Sequence, residues 1–516
     1  MAETPESVLV SSKNAKKGLF HNFRWFDEND TPEERRLVWK LDLLIVPYAL
    51  LVYWVKYLDA ANLNNAYVSG MKEDLNLGGN DLSHLQSALL IGNCIGQVPG
   101  AYFFPKVPLH ILIPGLDLGW GIFNLLQYRA KGLPELIAYR FLIGLFESPF
   151  FIAVHYTLGS WYKGHELGRR GSCFYIGLAL GTLTASLLQA AATKNLDGVN
   201  GLEGWRWNFI ITSVCTLPLA FVGWFIFPGT PDKPNHFSIN KRDIEIAKKR
   251  LESSGHRPPA DWTWKLVKKV FSTWHIYVLV FWDIVFWNGS LNTANGGYLL
   301  WIKSLKRYSI PEVNNLGASM PAIGIFITLA VCFGADFFRS PAWAITLAYI
   351  MNILGLIIII IWEVPEPGLW FAFNTTYFAN AISSVLYGWA QNILRHSPEQ
   401  RAFTLVMMNA ICQSTTAWTL ILTFPTVEAP RFTKGYSFVV ACAIMLIVMT
   451  WVVKYLHDKQ EYFRSYIDEQ DMANFVADDS RRSCRKVMMR GAGRLWIWSN
   501  QQLLMWSQQR RSEKSS

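Results

Sequence analysis

Apolar residues in this chain gather into long, nearly uninterrupted runs, with the polar residues collected in the gaps between them. A bilayer core takes a helix of about 20 mostly apolar residues. Runs of that length lie near 41–61, 83–104, 109–127, 134–157, 171–192 and 207–227. After a polar stretch, six more follow near 275–301, 315–336, 341–362, 368–393, 402–424 and 435–455. The pattern predicts an all-α integral membrane protein with twelve transmembrane helices in two six-helix halves. It sets a tail over 1–40, an N-terminal half over 41–228, a central loop over 229–274, a C-terminal half over 275–456 and a basic, disordered tail over 457–516. The third run is the poorest, because Pro114, Asp117 and several glycines interrupt it. Neighbouring helices can satisfy the backbone groups that such residues free.

Composition agrees with the pattern. Of the 516 residues, 51% are hydrophobic and 17% charged, against roughly 25% charged in soluble domains. The net charge of +10 does not point to nucleic acid, because the basic residues flank apolar runs and form no stripe on a soluble fold. They concentrate in the first tail, the central loop and the last tail. The positive-inside rule then places both termini and the central loop in the cytosol. The seven cysteines form no C-x-x-C pair, so neither a disulfide framework nor a zinc site is expected. No secretory leader is apparent in the first 40 residues. In the central loop, Pro228, Pro231 and Pro234 stop the sixth span, and Lys241 to Arg250 suits a short helix. That helix reads as a solvated spacer between the halves.

Charges within spans are few and costly, so each needs a reason. They are Lys56, Asp59, Asp117, Arg140, Glu147 and Asp283. The fourth span is the most informative. Arg140 and Glu147 stand seven residues apart, close to two helical turns, and share a face. Gly144 between them lets another helix or a ligand approach. An arginine stays charged in the membrane and can hold an anion, while a carboxyl group on the same face offers a place to load and release a proton. A structural charge pair is the plainer alternative. Asp59 lies within helical reach of Lys56, and a local pair is the simplest reading. Asn62 then either lines a cavity or ends the helix. Asp117 is expected to tie the third span to the second. His155 shares the span of Arg140 and is either a proton relay or ordinary structure. Asp283, Trp287 and Asn288 place a polar stripe among aromatics in the seventh span, which suits a hydrated cavity. Trp389 and Asn392 in the tenth span are candidate substrate contacts, though interhelical hydrogen bonding is the default for such groups.

No GxSxG, HExxH or P-loop pattern occurs, so an enzyme is not expected and no cofactor is implied. Two six-span halves around a polar loop resemble the major facilitator superfamily. Leu58-Asp59-Ala60-Ala61-Asn62-Leu63-Asn64-Asn65-Ala66-Tyr67-Val68-Ser69-Gly70-Met71 is similar to the first-span exit of the fungal anion:cation symporters of the allantoate permease family. Arg140-x3-Gly144-x2-Glu147, Trp161-Tyr162, Gly204-Trp205-Arg206-Trp207 and Pro228-Gly229-Thr230-Pro231-Asp232-Lys233-Pro234 resemble the same group, over about residues 25–460. Phe104-Pro105-Lys106-Val107-Pro108 and Leu116-Asp117-Leu118 look most like its pantothenate transporter branch. Ala60 departs from the family, many of whose members have a basic residue there, and the loop after the second span lacks the superfamily's Gly-x3-Asp-Arg pattern.

The resemblance implies proton-coupled uptake of a small organic anion across the plasma membrane, by a monomer in the lipid bilayer. Pantothenate leads the candidates. Allantoate, ureidosuccinate, nicotinate, biotin or an exported secondary metabolite remain open, as does a nutrient sensor on a transporter fold. The expected substrate contacts are Arg140, Asn62, Asp283, Trp287, Asn288, Trp389 and Asn392. The expected proton-coupling groups are Glu147, Asp59 and His155.

Overall fold

The first span begins where the sequence offers a cap. Thr31 Oγ1 accepts from the Glu34 N–H at 3.3 Å, and Glu34 Oε2 accepts from the Thr31 N–H at 2.7 Å. Pro32 sits at the first helical position, where its missing N–H costs nothing. In the computed structural model the described residues are 30–491, except 104–105, 254–267, 269, 295, 338–339 and 396. Of the family-like stretches, Phe104-Pro105 therefore lies outside the described residues.

The N-terminal half comprises α1 (Pro32–Ala66), α2 (Asp81–Phe103), α3 (Leu109–Leu126), α4 (Leu133–Trp161), α5 (Gly164–Asn195) and α6 (Gly204–Ile226). A two-residue hairpin, β1 (Gly229–Thr230) with β2 (Lys233–Pro234), follows in antiparallel register, and then the loop helix α7 (Lys241–Ser253). The seventh expected span is built from three pieces, α8 (Trp274–Asn288), α9 (Leu291–Ala294) and α10 (Gly297–Ser304). Then come α11 (Ile310–Gly317), α12 (Ser319–Phe337) and α13 (Pro341–Ile361). The tenth is again in pieces, α14 (Glu366–Thr375), α15 (Phe378–Ala381) and α16 (Ser383–Ile393). Finally α17 (Pro398–Thr423) and α18 (Thr433–Gly491) close the chain.

Helix therefore occurs at each of the twelve expected positions. Nine helices among the described residues are long and apolar enough to cross a membrane. The other three positions differ for a physical reason. The helix α2 carries buried Asn93 and Gln97, and the seventh and tenth spans are broken. One break falls at Gly296, whose φ of 74° is left-handed, a conformation glycine adopts without strain. Broken helices are tolerated at membrane depth where protein covers the freed backbone.

Small residues set the packing. Gly92 and Gly96 on α2 lie against the Phe141 and Leu145 carbonyls of α4, and a methyl at Gly144 of α4 would collide with the Leu89 carbonyl of α2. Gly177 and Gly181 bring α5 against Leu50 and Trp54 of α1 in the same way. Close backbone approach of this kind is the main packing device between membrane helices. Across the halves, α2 packs on α17 and α5 packs on α11 and α12. Beyond the C-terminal end of α1 the halves are tied directly. Asn314 Nδ2 donates to Ser69 Oγ at 2.8 Å, Ser83 Oγ to the Phe424 carbonyl at 2.9 Å, and Lys303 pairs with Glu73 at 2.9 Å.

Two sequence expectations change here. The loop helix α7 is docked, not a solvated spacer. Its Arg250 is 1% exposed and meets Asp30 at 3.2 Å, and Lys163 meets the same carboxylate at 2.8 Å. Lys40 pairs with Asp243 at 2.7 Å. The apolar Ala247 and Leu251, four residues apart, are buried on the same helix. Pairing one carboxylate with two cations and covering it with apolar groups keeps it out of water, which the charge-rich sequence of α7 did not advertise. The second concerns the last tail. The chain from Val452 stays helical to Gly491, well into the segment expected to be disordered, and 492–516 lie outside the described residues.

Candidate functional site

The face that α4 was expected to present is formed as drawn, but with different neighbours. Arg140 is 1% exposed, and its Nε and Nη2 have no hydrogen-bond partner. Its electrostatic neighbours are Asp59 and Glu147. Glu147 is likewise buried, with Oε1 3.2 Å from Lys56 Nζ and Oε2 unpartnered. Lys56 thus reaches across to α4, and does not pair with Asp59 on its own helix as expected. Gly144 gives its space to α2, so the approach it permits is that of a helix, not of a ligand.

Asp59 is 1% exposed and fully occupied. Trp120 Nε1 donates to it at 2.8 Å, Asn124 Nδ2 at 2.8 Å and Thr216 Oγ1 at 3.1 Å. Asn62 belongs to the same network: it accepts from Asn208, which also donates to Gln189 Oε1 at 2.7 Å. Both residues therefore knit α1 to α3, α5 and α6. The structure thus places Asp59 and Asn62, expected as a proton-coupling group and a substrate contact, inside this interhelical network. Asp117 is tied to Tyr48 of α1 at 2.9 Å, not to the second span. His155 shares Nδ1 with the Phe151 carbonyl at 2.9 Å, one turn back on its own helix.

In the C-terminal half a second polar pole forms. Asp283 on α8 is 0% exposed. Its Oδ2 accepts from Tyr387 Oη at 3.0 Å and from Cys412 Sγ at 3.1 Å, while Oδ1 has no partner. Trp287 Nε1 in turn donates to Tyr387 Oη at 3.0 Å. Asn288 is bonded between helices: Thr419 Oγ1 donates to it at 2.6 Å, and it donates to the Ile284 carbonyl at 2.8 Å. Trp389 stands edge-on to Trp282, ring centroids 5.5 Å apart, and is buried. Asn392 is exposed at the end of α16 and accepts from Arg395 at 3.1 Å, away from either pole.

Aromatic rings join the poles. Phe151 of α4 packs 5.7 Å from the Tyr387 ring across the boundary between halves, and 6.5 Å from Tyr53 of α1. Tyr53 and Tyr57 bond through their hydroxyls at 3.3 Å. The expected set thus divides. Arg140 and Glu147 come together, Asp283 with Trp287 forms the second pole, and Asn62, Asn288, Trp389 and Asn392 are placed elsewhere. Lys56, Tyr387 and Cys412 complete the poles. Lys56 stood out as an intramembrane cation, but its nearness in sequence to Asp59 pointed to the wrong partner. Nothing in the sequence singled out Cys412.

A polar centre of this kind, between two helical halves, is what a transporter needs to carry a polar solute through an apolar layer. The family model described as Major Facilitator Superfamily matches residues 49–418, and the chain belongs to that superfamily of multi-pass membrane transporters. It is not an enzyme. Among curated relatives, the vitamin H transporter of Saccharomyces cerevisiae is 38% identical over 439 residues, 84% of this chain and 74% of that protein. The pantothenate transporter FEN2 of the same yeast is 31% identical, covering 85% of this chain and 88% of its own length. The pantothenate transporter liz1 of Schizosaccharomyces pombe is 29% identical, with 88% of each covered. Among solved structures, the xylose transporter XylE of E. coli in a partially occluded inward-open conformation aligns with a TM-score of 0.61 at 14% identity. That match covers 80% of this chain and 97% of XylE, and it carries the fold alone.

Proposed function

We propose that this transporter takes up a small organic anion together with a proton across the plasma membrane, with both termini in the cytosol. The observation that carries the reading is the Lys56–Glu147 pair beside an Arg140 with two free N–H vertices. With Glu147 ionised, the two cations have two carboxylates beside them, Glu147 and the Asp59 that also neighbours Arg140. Adding a proton to Glu147 takes away the counter-ion of Lys56 and one of the two beside Arg140, in a place where an unbalanced charge is expensive. A carboxylate substrate restores the balance, and Arg140 offers it planar, charge-assisted hydrogen bonds. Proton and anion therefore favour each other's binding, which is the coupling a symporter needs. Alternating access of the two halves around this centre moves both together.

Similarity to vitamin transporters narrows the anion to a vitamin-like carboxylate. The 38% identity to a protein named for vitamin H orders biotin ahead of pantothenate as the first compound to test. The experiment is uptake of labelled biotin, and separately of labelled pantothenate, in yeast cells lacking their own transporters for both. Uptake is measured at acid and neutral pH, with and without a protonophore. Accumulation that is stronger in acid and collapses with the protonophore is the expected result. Accumulation indifferent to the protonophore would overturn the coupling, and no uptake of either by surface-localised protein would overturn the choice of substrate.

A further inference from the structure

We infer that Asp283 Oδ1 accepts a hydrogen bond from a neutral N–H or O–H group that the substrate carries at the end away from its carboxylate. This rests on the reading above that the substrate is an organic anion held at Arg140. Three observations lead to it. The first is an imbalance within one carboxyl group. Oδ2 receives two donors, Tyr387 Oη and Cys412 Sγ, whereas Oδ1 is buried and receives none. A buried acceptor left empty costs far more than a typical hydrogen bond returns, so an empty buried oxygen marks a place where a partner is missing. Asp59, buried in the same protein, has donors on both oxygens.

The second observation is the absence of a cation. The groups that touch or act electrostatically on Asp283 are Tyr387, Cys412 and Tyr349, from three neighbouring spans. Among the described residues no Lys, Arg or His pairs with it. An anionic substrate cannot present its charged end to this carboxylate, so the end that arrives here is neutral and donates.

The third is position. Tyr387, bonded to Asp283, packs on Phe151 across the boundary between halves. Phe151 is four residues, about one turn, beyond Glu147 on α4. The cationic pole and the acidic pole therefore face the same stretch of α4, with Tyr53, Phe151 and Trp287 supplying apolar surface around them. A molecule with a carboxylate at one end, an apolar middle and a donor at the other end matches this sequence of surfaces. A ureido or amide N–H and a hydroxyl O–H share the chemistry required.

Asp283→Asn is the sharpest variant. The two donors on Oδ2 hold the new amide oxygen, so its NH2 takes the place of Oδ1 and a donor meets a donor. The test uses purified full-length protein, with affinity read from thermal-shift titrations of biotin, pantothenate and heptanoate. Heptanoate is a carboxylate of similar length with no donor at its far end. In the native protein the donor-bearing acid that binds best is expected to exceed heptanoate by about tenfold or more. In Asp283→Asn that preference falls to about threefold or less. The biotin and pantothenate arms tell a ureido N–H from a hydroxyl. A preference unchanged in Asp283→Asn overturns the assignment. So does native protein that binds heptanoate as tightly as the vitamins, a comparison that decides the matter even if the variant does not fold. Native protein that binds none of the three carboxylates would instead remove the organic-anion reading beneath it.

Discussion

Asp59 and Asp283 are both buried carboxylates in membrane helices, one in each half, and they are met in opposite ways. Asp59 receives three donors from α3 and α6 and leaves neither oxygen empty. Asp283 receives two donors on one oxygen and none on the other. Around Asp59, Gln127 bonds Asn124 and Asn208 bonds Asn62, with Gln127 Oε1 and Asn208 Oδ1 left over. Among the charged groups, Arg140, Glu147 and Asp283 each keep an atom unpartnered. Burial alone does not distinguish a functional charge from a structural one. Between Asp59 and Asp283, what differs is whether both oxygens of the carboxylate have donors.

The strongest way to break the comparison is at Arg140. Arg140→Ala removes the group with the most unfinished bonding in the N-terminal half, and uptake is expected to fall to the background of untransformed cells. Surface protein, measured by labelling intact cells, is expected to remain. Normal uptake by this variant would mean that empty hydrogen-bonding vertices do not mark the site.

Asp59→Ala is expected to do the reverse. It strips one acceptor from Trp120, Asn124 and Thr216 together, and Trp120 Nε1, which has no other, becomes a buried empty donor at a cost of about 1–3 kcal/mol. The loss should appear as protein that fails to reach the surface. Whatever does reach it should transport with the native dependence on substrate concentration. An Asp59→Ala protein with full surface level and no uptake would move Asp59 into the working site.

The Lys56–Glu147 pair sharpens the contrast at an intermediate level. Lys56→Met leaves Glu147 buried without its partner, and breaking a buried pair from one side typically costs about 3–5 kcal/mol. Glu147→Gln in addition removes the stranded charge. The double variant is therefore expected to be more stable in a detergent thermal melt than Lys56→Met alone, although it transports without any response to pH. A double variant no more stable than the single one would mean that the two side chains do not share a pair.

Much of this was legible in the sequence, and its limits have a common cause. Long apolar runs fixed the number and order of helical segments, because the bilayer sets their length. The seven-residue spacing of Arg140 and Glu147 placed them on one face, because helical geometry is local. Partners were another matter. Lys56 is three residues from Asp59 but bonds Glu147 on another helix, and Asp117 finds Tyr48 on α1 instead of the second span. Helix adjacency, which decides such pairs, is set by glycine contacts such as those of Gly92 and Gly96 of α2 against α4, and a periodicity argument does not see them. The docking of α7 was hidden for the same reason, since Asp30 and Lys163 lie far from Arg250 in the chain.

That docking yields the smallest effect and the cleanest control on the comparison. Transport that responds to acid could owe its response to the membrane pole or to a clamp on the terminal side, where Asp30 holds Lys163 and Arg250. Burial pushes the Asp30 carboxyl up, but the hydrogen bonds from Lys163 and Arg250 outweigh it and hold it below the ordinary carboxylate value. A carboxyl lowered on folding lends stability that is present in full above its unfolded value, about pH 4, and is lost only as pH falls through the lower folded value. The clamp should therefore be constant between about pH 5 and 7. Hydrogen exchange of the Lys241–Ser253 amides is expected to show equal protection at those two values once corrected for intrinsic rates. Asp30→Asn should weaken protection equally at both and leave the acid response of uptake in place. If protection falls on going from neutral pH to the milder acid, the clamp titrates where transport does, and the pH response can no longer be credited to Glu147 alone.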